Sequence, residues 1–325
     1  MVLSSRARRA GALAMPARPP ARRFSRRPSQ ADRPGAGNGI RRGRAGYGFV
    51  SAYFILLLLF GVAPTAYAVW LAISNSGGQL VGFGNFTQVL HDYRFGPAFE
   101  NVGVYLVIWL VVLVVAVVGL ALLLHGRMRR ASAVSRFVFY LPGALAGAAS
   151  ALVWMFMLDP SVSPIASLLH GLGYSTFSDT IAPQRLPVVF AVMAFWTGAG
   201  GWIVVMYGAL NNIPAELLEA ARIDGASVLQ TAWRVQIPLL RKWIAYMVIL
   251  AFATGTQLFV EPQLVGEASL GQVSDSWSPN QLAYQYAFHS NNFNDASAVS
   301  ICLLIVGLAG AALVVFRSGL FEAGQ

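Results

Sequence analysis

Six long apolar stretches alternate with polar segments along this chain: Phe49 to Ile73, Val102 to Leu124, Phe137 to Leu158, Pro187 to Leu210, Trp243 to Val260 and Ala298 to Phe316. Most approach the roughly 20 residues that a helix needs to cross a bilayer, and none of the six contains Asp, Glu, Lys or Arg. Lipid offers the backbone no hydrogen bonds, so such stretches predict helices that satisfy their own N–H and C=O groups. The pattern therefore predicts an all-α polytopic membrane protein with six transmembrane helices. Composition agrees: of 325 residues, 56% are hydrophobic and 11% charged, with a mean hydropathy of +0.59, which excludes an ordinary soluble domain.

The charge pattern sets domains and orientation. Residues 1–46 hold twelve arginines and one acid, Asp32. Such a segment cannot bury enough apolar surface to fold, and a disordered cytoplasmic tail with access to anionic lipid headgroups is expected. Residues 47–325 form the membrane domain. The arginine pairs invite an export-signal reading, but the apolar run from Phe49 is longer than a signal core and more spans follow, so the first span is expected to be retained. With the N-terminus inside, 21 of the 23 Lys and Arg residues fall in inner segments and only Arg94 and Arg185 lie outside. The positive-inside rule then places both termini in the cytoplasm and the outer segments at about 74–101, 159–186 and 261–297. The net charge of +10 sits mainly in the tail and short loops, so no nucleic-acid partner is expected. Cys302 is alone, and His91, His125, His170 and His289 are scattered, so neither a disulfide nor a metal site is expected.

The most informative polar segment lies between the fourth and fifth spans, at residues 211–242. Pro214 opens a helix whose early turns carry Glu216 and Glu219, where carboxylates suit the positive end of the helix dipole. Ile213, Leu217, Ala220 and Ala221 share one face. Asp224-Gly225 is a turn dipeptide, and Ser227 with Gln230 has the form of a capping box that starts a second short helix, expected to end before Pro238. An amphipathic pair of helices outside the bilayer suits docking in another protein's groove.

This segment resembles the binding-protein-dependent ABC importer permeases, whose pattern is E-A-A, three residues, G, nine residues, I-x-L-P. Here Glu219-Ala220-Ala221 is followed at that spacing by Gly225 and by Val235-Gln236-Ile237-Pro238, with only the two aliphatic positions changed. Its wider wording is similar to the carbohydrate-type permeases of the maltose and glycerol-3-phosphate systems, and the likeness extends over roughly residues 47–316. The resemblance implies a non-enzymatic subunit that pairs with a second permease as a heterodimer, with two ATP-binding cassette subunits and with an extracytoplasmic solute-binding protein. In that reading Glu219 bonds at the ATPase groove, Ala220 and Ala221 admit close approach, and Asp224 and Gly225 make the bend, while Pro238 closes the motif. The chain has no P-loop of its own: its one lysine, Lys242, lies between Arg241 and Trp243. No cofactor is expected.

A passage for solute is expected between the fourth and fifth spans. Trp196 and Thr197 lie about ten residues into the fourth span, near mid-depth at a rise of about 1.5 Å per residue. Thr254 has similar depth in the fifth, where Thr254, Gln257, Leu258 and Glu261 would form one stripe at helical spacing. The family resemblance implies that these two spans hold the sugar, making Trp196, Thr197, Thr254, Gly255, Gln257 and Leu258 the candidate contacts. Threonines that bond their own helix carbonyls, and a tryptophan that merely packs, are the competing roles. The spans lack the Arg or Lys clamp a phosphorylated solute would gain from, which favours a neutral sugar over glycerol-3-phosphate. A stand-alone secondary transporter would usually show internal repeats and ionisable groups within its spans, and neither is seen.

Overall fold

The computed structural model describes residues 50–125, 137–144 and 147–318; the basic tail and the arginines from 127 to 136 lie outside the described residues. Among those described there is no strand beyond an isolated bridge between Ser74 and Leu80. The long helices are α1 (Val50–Ala72), α3 (Phe95–His125), α5 (Leu186–Asn211), α7 (Val228–Gly255) and α10 (Phe293–Arg317 in its apolar part), each long and apolar enough to span a membrane. Between them lie α2 (Gly84–His91), α4 (Gly147–Leu158), α6 (Ala215–Ile223), α8 (Val260–Ala268) and α9 (Pro279–Tyr284). The N-terminal compact unit ends at Leu58, and its described residues, 50–58, are helical and exposed.

The third apolar stretch is not one straight helix. Phe137–Ala144 and α4 are set at 107° across a break of two residues, so the six expected spans are five helices and a bent pair. Pro142 lacks the N–H an α-ladder needs, and Leu141–Ala144 is a 3₁₀ turn. This segment also presses on α5 so closely that a side chain at Gly200 would collide with the Phe139 backbone.

The core is the pairing of α3 with α5. Tyr105, Trp109, Leu113, Val117 and Ala121 repeat every four residues and are buried, facing Phe190, Met193, Ile203, Met206 and Leu210 of α5. Lipid tails are as apolar as these side chains, so tight fit rather than release from water must hold helices together in the bilayer. Gly255 shows this fit. A Cβ there would stand 2.7 Å from Leu106 Cδ2 and 3.4 Å from Trp109 Cδ1.

A second cluster sits at the bundle end opposite the 211–242 loop, where Ala72, Val89, Ala98, Leu282 and Val299 meet. Here the last carbonyls of α1 need donors, as helix ends do. Asn85 Nδ2 donates to Ala72 O (2.9 Å) and Ser74 O (2.8 Å), and Asn294 Nδ2 donates to Leu71 O (3.0 Å) and Ser74 O (2.8 Å). Beside them Arg94 clasps Asp92 with Nε and Nη2, Nη2 to Oδ2 at 2.7 Å, and the Tyr286 hydroxyl donates to the same carboxylate.

Candidate functional site

The loop from α5 to α7 is built from local signals. Asn211 Nδ2 donates to Tyr207 O (3.0 Å) at the end of α5. Pro214, with φ −54° and ψ 134°, is the N-cap of α6. That helix ends in a Schellman motif: Ala226 N–H donates to Ala221 O (2.9 Å) and Gly225 N–H to Arg222 O (3.0 Å), around Gly225 at φ +76°. Gly225 is thus both the bend and the terminator, because a left-handed residue at this position costs a side chain-bearing residue free energy. Ser227 then opens the next helix with the expected box, its Oγ accepting from Gln230 N–H (3.3 Å) and its N–H donating to Gln230 Oε1 (2.8 Å).

One expectation fails here. The second helix does not end before Pro238; it runs from Val228 to Gly255 as a single 28-residue helix. A π-turn over Ala232–Gln236 shifts the ladder, with Ile237 N–H donating to Ala232 O. The register change comes just before Pro238, whose missing N–H would leave an α-ladder carbonyl unpaired. The loop's second half is consequently continuous with span five.

What the loop exposes is apolar. Ile223 and Val228 are 86% and 90% exposed, and Leu217, Leu229 and Trp233 are exposed too. Glu219, Ala220 and Asp224 are on the surface, whereas Ala221 is buried within this chain, so it is unavailable for close approach by a partner. Ile213 packs on the core.

In the predicted passage, Trp196 is half-buried and meets Trp154 edge-on at 5.9 Å. Thr197 Oγ1 donates to Met193 O (3.2 Å) and Ala194 O (3.3 Å), and Thr254 Oγ1 to Leu250 O (3.0 Å) and Ala251 O (3.2 Å). Both hydroxyls are therefore held by their own helices, with oxygen lone pairs left to accept. Gly255 is buried on its helix and Leu258 in the core, which removes them from the lining. The stripe through Glu261 is also broken: the helix stops at Gly255, Gln257 and Leu258 lie in the connection, and Glu261 belongs to α8. Burial pushes the Glu261 carboxyl up from its ordinary range.

Sequence reading missed a cleft of 490 Å³ past the end of α7, lined by Phe259, Asn280, Tyr284, Phe288, Phe293 and Ser297 together with the predicted Gln257. Its signal was the four-residue repeat Asn280, Tyr284, Phe288, in a segment treated only as an outer connection.

Comparison with known proteins closes the argument. Residues 118–323 match the family described as "Binding-protein-dependent transport system inner membrane component". The chain is 28% identical over 332 residues to the diacetylchitobiose uptake system permease protein NgcF of Streptomyces coelicolor, with 94% of this chain and 92% of that protein covered. It is 23% identical over 290 residues to the arabinooligosaccharides transport system permease protein AraP of Halalkalibacterium halodurans, covering 86% and 89%. In fold it is similar to a chain of a bacterial ABC transporter involved in the import of the acidic polysaccharide alginate, with a TM-score of 0.76 at 19% identity, over 88% of this chain and 99% of that one. The chain belongs to the family of binding-protein-dependent transport system inner membrane components, multi-pass transport permeases.

Proposed function

We propose that this chain is one permease subunit of an ATP-driven importer that moves a neutral sugar across the cytoplasmic membrane. It pairs with a second permease, two ATP-binding cassette subunits and an extracytoplasmic binding protein. The observation that carries the reading is the apolar face of the 213–236 loop, exposed at Ile223, Val228 and Trp233 and continuous with span five through the π-turn. Such a face fits the groove of a cytoplasmic ATPase, and the unbroken helix behind it carries the displacement into the membrane. The charge asymmetry supports a cytoplasmic loop and cytoplasmic termini. Permeases named for diacetylchitobiose and arabinooligosaccharides among its relatives support a saccharide. Trp196, Thr197, Thr254 and Gln257 are the proposed contacts in the passage. Glu219, Ala220, Asp224, Gly225 and Pro238 serve the coupling.

The test is radiolabelled uptake by the reconstituted complex, screened across mono- and disaccharides and glycerol-3-phosphate. ATP-dependent uptake of a neutral sugar is expected; uptake of glycerol-3-phosphate alone overturns the substrate, and uptake without any ATPase overturns the mechanism.

A further inference from the structure

The aromatic cleft beyond α7 is formed by two helical faces and a floor. Asn280, Ala283, Tyr284, Ala287 and Phe288 follow one another at helical spacing along α9 and the π-turn Gln285–His289. Phe293, Ser297 and Ser300 form the facing wall on α10, and Gln257 and Phe259 close the floor from the break between α7 and α8. The rings are contiguous: centroids are 5.5 Å apart for Phe259 and Tyr284, 4.9 Å for Tyr284 and Phe288, and 6.2 Å for Phe288 and Phe293.

Two features decide what this cleft accepts. Phe288 is 67% exposed and Phe293 is exposed as well, so ring surface is open to a ligand. Among the described residues, the side-chain amides of Gln257 and Asn280 and the Ser297 hydroxyl make no hydrogen bond with this chain. A lipid tail or an apolar helix would leave those groups unsatisfied, whereas a sugar ring offers C–H faces to aromatic rings and hydroxyls to amides. No Arg or Lys lines the cleft, so a phosphate would find no partner. Its 490 Å³ falls in the usual range for small-ligand sites. A second cleft of 320 Å³ shares Gln257, Asn280 and Ser300 and continues between α7 and α10 past Thr256 towards Gly307.

We infer that the cleft is a saccharide subsite at the outer mouth, where one sugar unit rests on Tyr284 and Phe288 and bonds to Asn280 and Gln257 before entering the passage. This rests on the reading of the solute as a sugar. The experiment is saturation-transfer NMR on the full importer in nanodiscs, without the binding protein, using maltose, cellobiose and N,N′-diacetylchitobiose, with glycerol-3-phosphate as control. A saturable signal from at least one disaccharide is expected, weakened about fivefold by Phe288→Ala and by Asn280→Ala, as loss of one ring contact or one hydrogen bond implies. Phe288→Tyr, which keeps the ring, restores it. Equal binding by wild type and both alanine variants overturns the subsite. So does efficient cross-linking of Phe288→Cys to the second permease in a Cys302→Ser background, which makes the cleft a subunit interface. If the importer carries glycerol-3-phosphate and no sugar, the functional reading has failed; if it carries a disaccharide and the variants bind it normally, only the subsite has failed.

Discussion

The two ends of the bundle are held by opposite means. The loop between α5 and α7 is fixed by hydrogen bonds between residues no more than five apart, and its apolar side chains point away from the chain. At the other end, side chains bridge segments far apart in sequence: Asn85 and Asn294 to the end of α1, Tyr286 to Asp92, and Asn101 Nδ2 to Trp277 O at 3.1 Å. The loop is a preformed shape whose apolar side chains at Ile223, Val228, Leu229 and Trp233 are left exposed by the chain. The opposite corner completes its own contacts. In the coupling role proposed above, the first end would receive force and the second would keep the helices in register while it acts.

The largest effect expected from breaking this contrast is at Gly225. Gly225→Pro imposes a φ near −65° where the turn needs +76°, and it removes the N–H that donates to Arg222 O. Membrane insertion should be normal, because the spans are untouched, while ATP-driven uptake falls to background; Glu219→Arg should do the same by placing a cation in the groove. Wild-type uptake by either inserted variant would remove the loop from the coupling path. Rapid amide exchange confined to residues 213–236 in Gly225→Pro would show that the turn's bonds are local.

This difference also explains what the sequence revealed. The capping box at Ser227, the turn at Gly225 and the spans are written in neighbouring residues, so periodicity and dipeptides were enough to place them. Pro238 misled because a proline predicts an end, and the alternative, a π-turn over Ala232–Gln236 ahead of the missing N–H, has no marker among the neighbouring residues. Gly255 and Leu258 misled for a similar reason: depth along a helix is legible, but the side facing Leu106 and Trp109 is not. The corner with Asp92, Arg94 and Tyr286 joins segments 194 residues apart, for which a single sequence carries no direct signal, while the aromatic cleft showed only one of its walls, the Asn280, Tyr284, Phe288 repeat, and not the facing wall at Phe293 and Ser297.

A middle-sized effect is expected at the corner. Asn294→Ala strips one donor each from Leu71 O and Ser74 O in a buried setting, a loss of about 1–3 kcal/mol. The thermal midpoint in detergent should fall, and exchange should quicken at the end of α1 and the start of α10 while residues 213–236 keep wild-type rates. Equal acceleration in the loop would show that the two ends are not independently held.

The smallest expected effect concerns pH. Burial, and then the hydrogen bond to Asp92, push the Tyr286 phenol up to about 12, while the Arg94 guanidinium holds the Asp92 carboxyl well below the usual carboxylate range. A raised phenol stabilises the fold below its unfolded value of 10.0, and that contribution is lost as pH rises through about 12. A depressed carboxyl works in reverse: its contribution is complete above 3.8 and disappears only as pH falls far below that. Neither group changes charge near neutrality, so the corner should be indifferent to pH there. Removing the hydroxyl with Tyr286→Phe should cost about 0.5–1.5 kcal/mol at pH 8. The gap in thermal midpoint between wild type and Tyr286→Phe should then close as pH rises from 10 to 12, because only the wild type carries a phenol that ionises in the unfolded chain over that window while the folded state still holds its proton. Parallel midpoint curves over the same range would mean that the phenol contributes packing alone, and the two asparagines would be left as the principal clamps of this end.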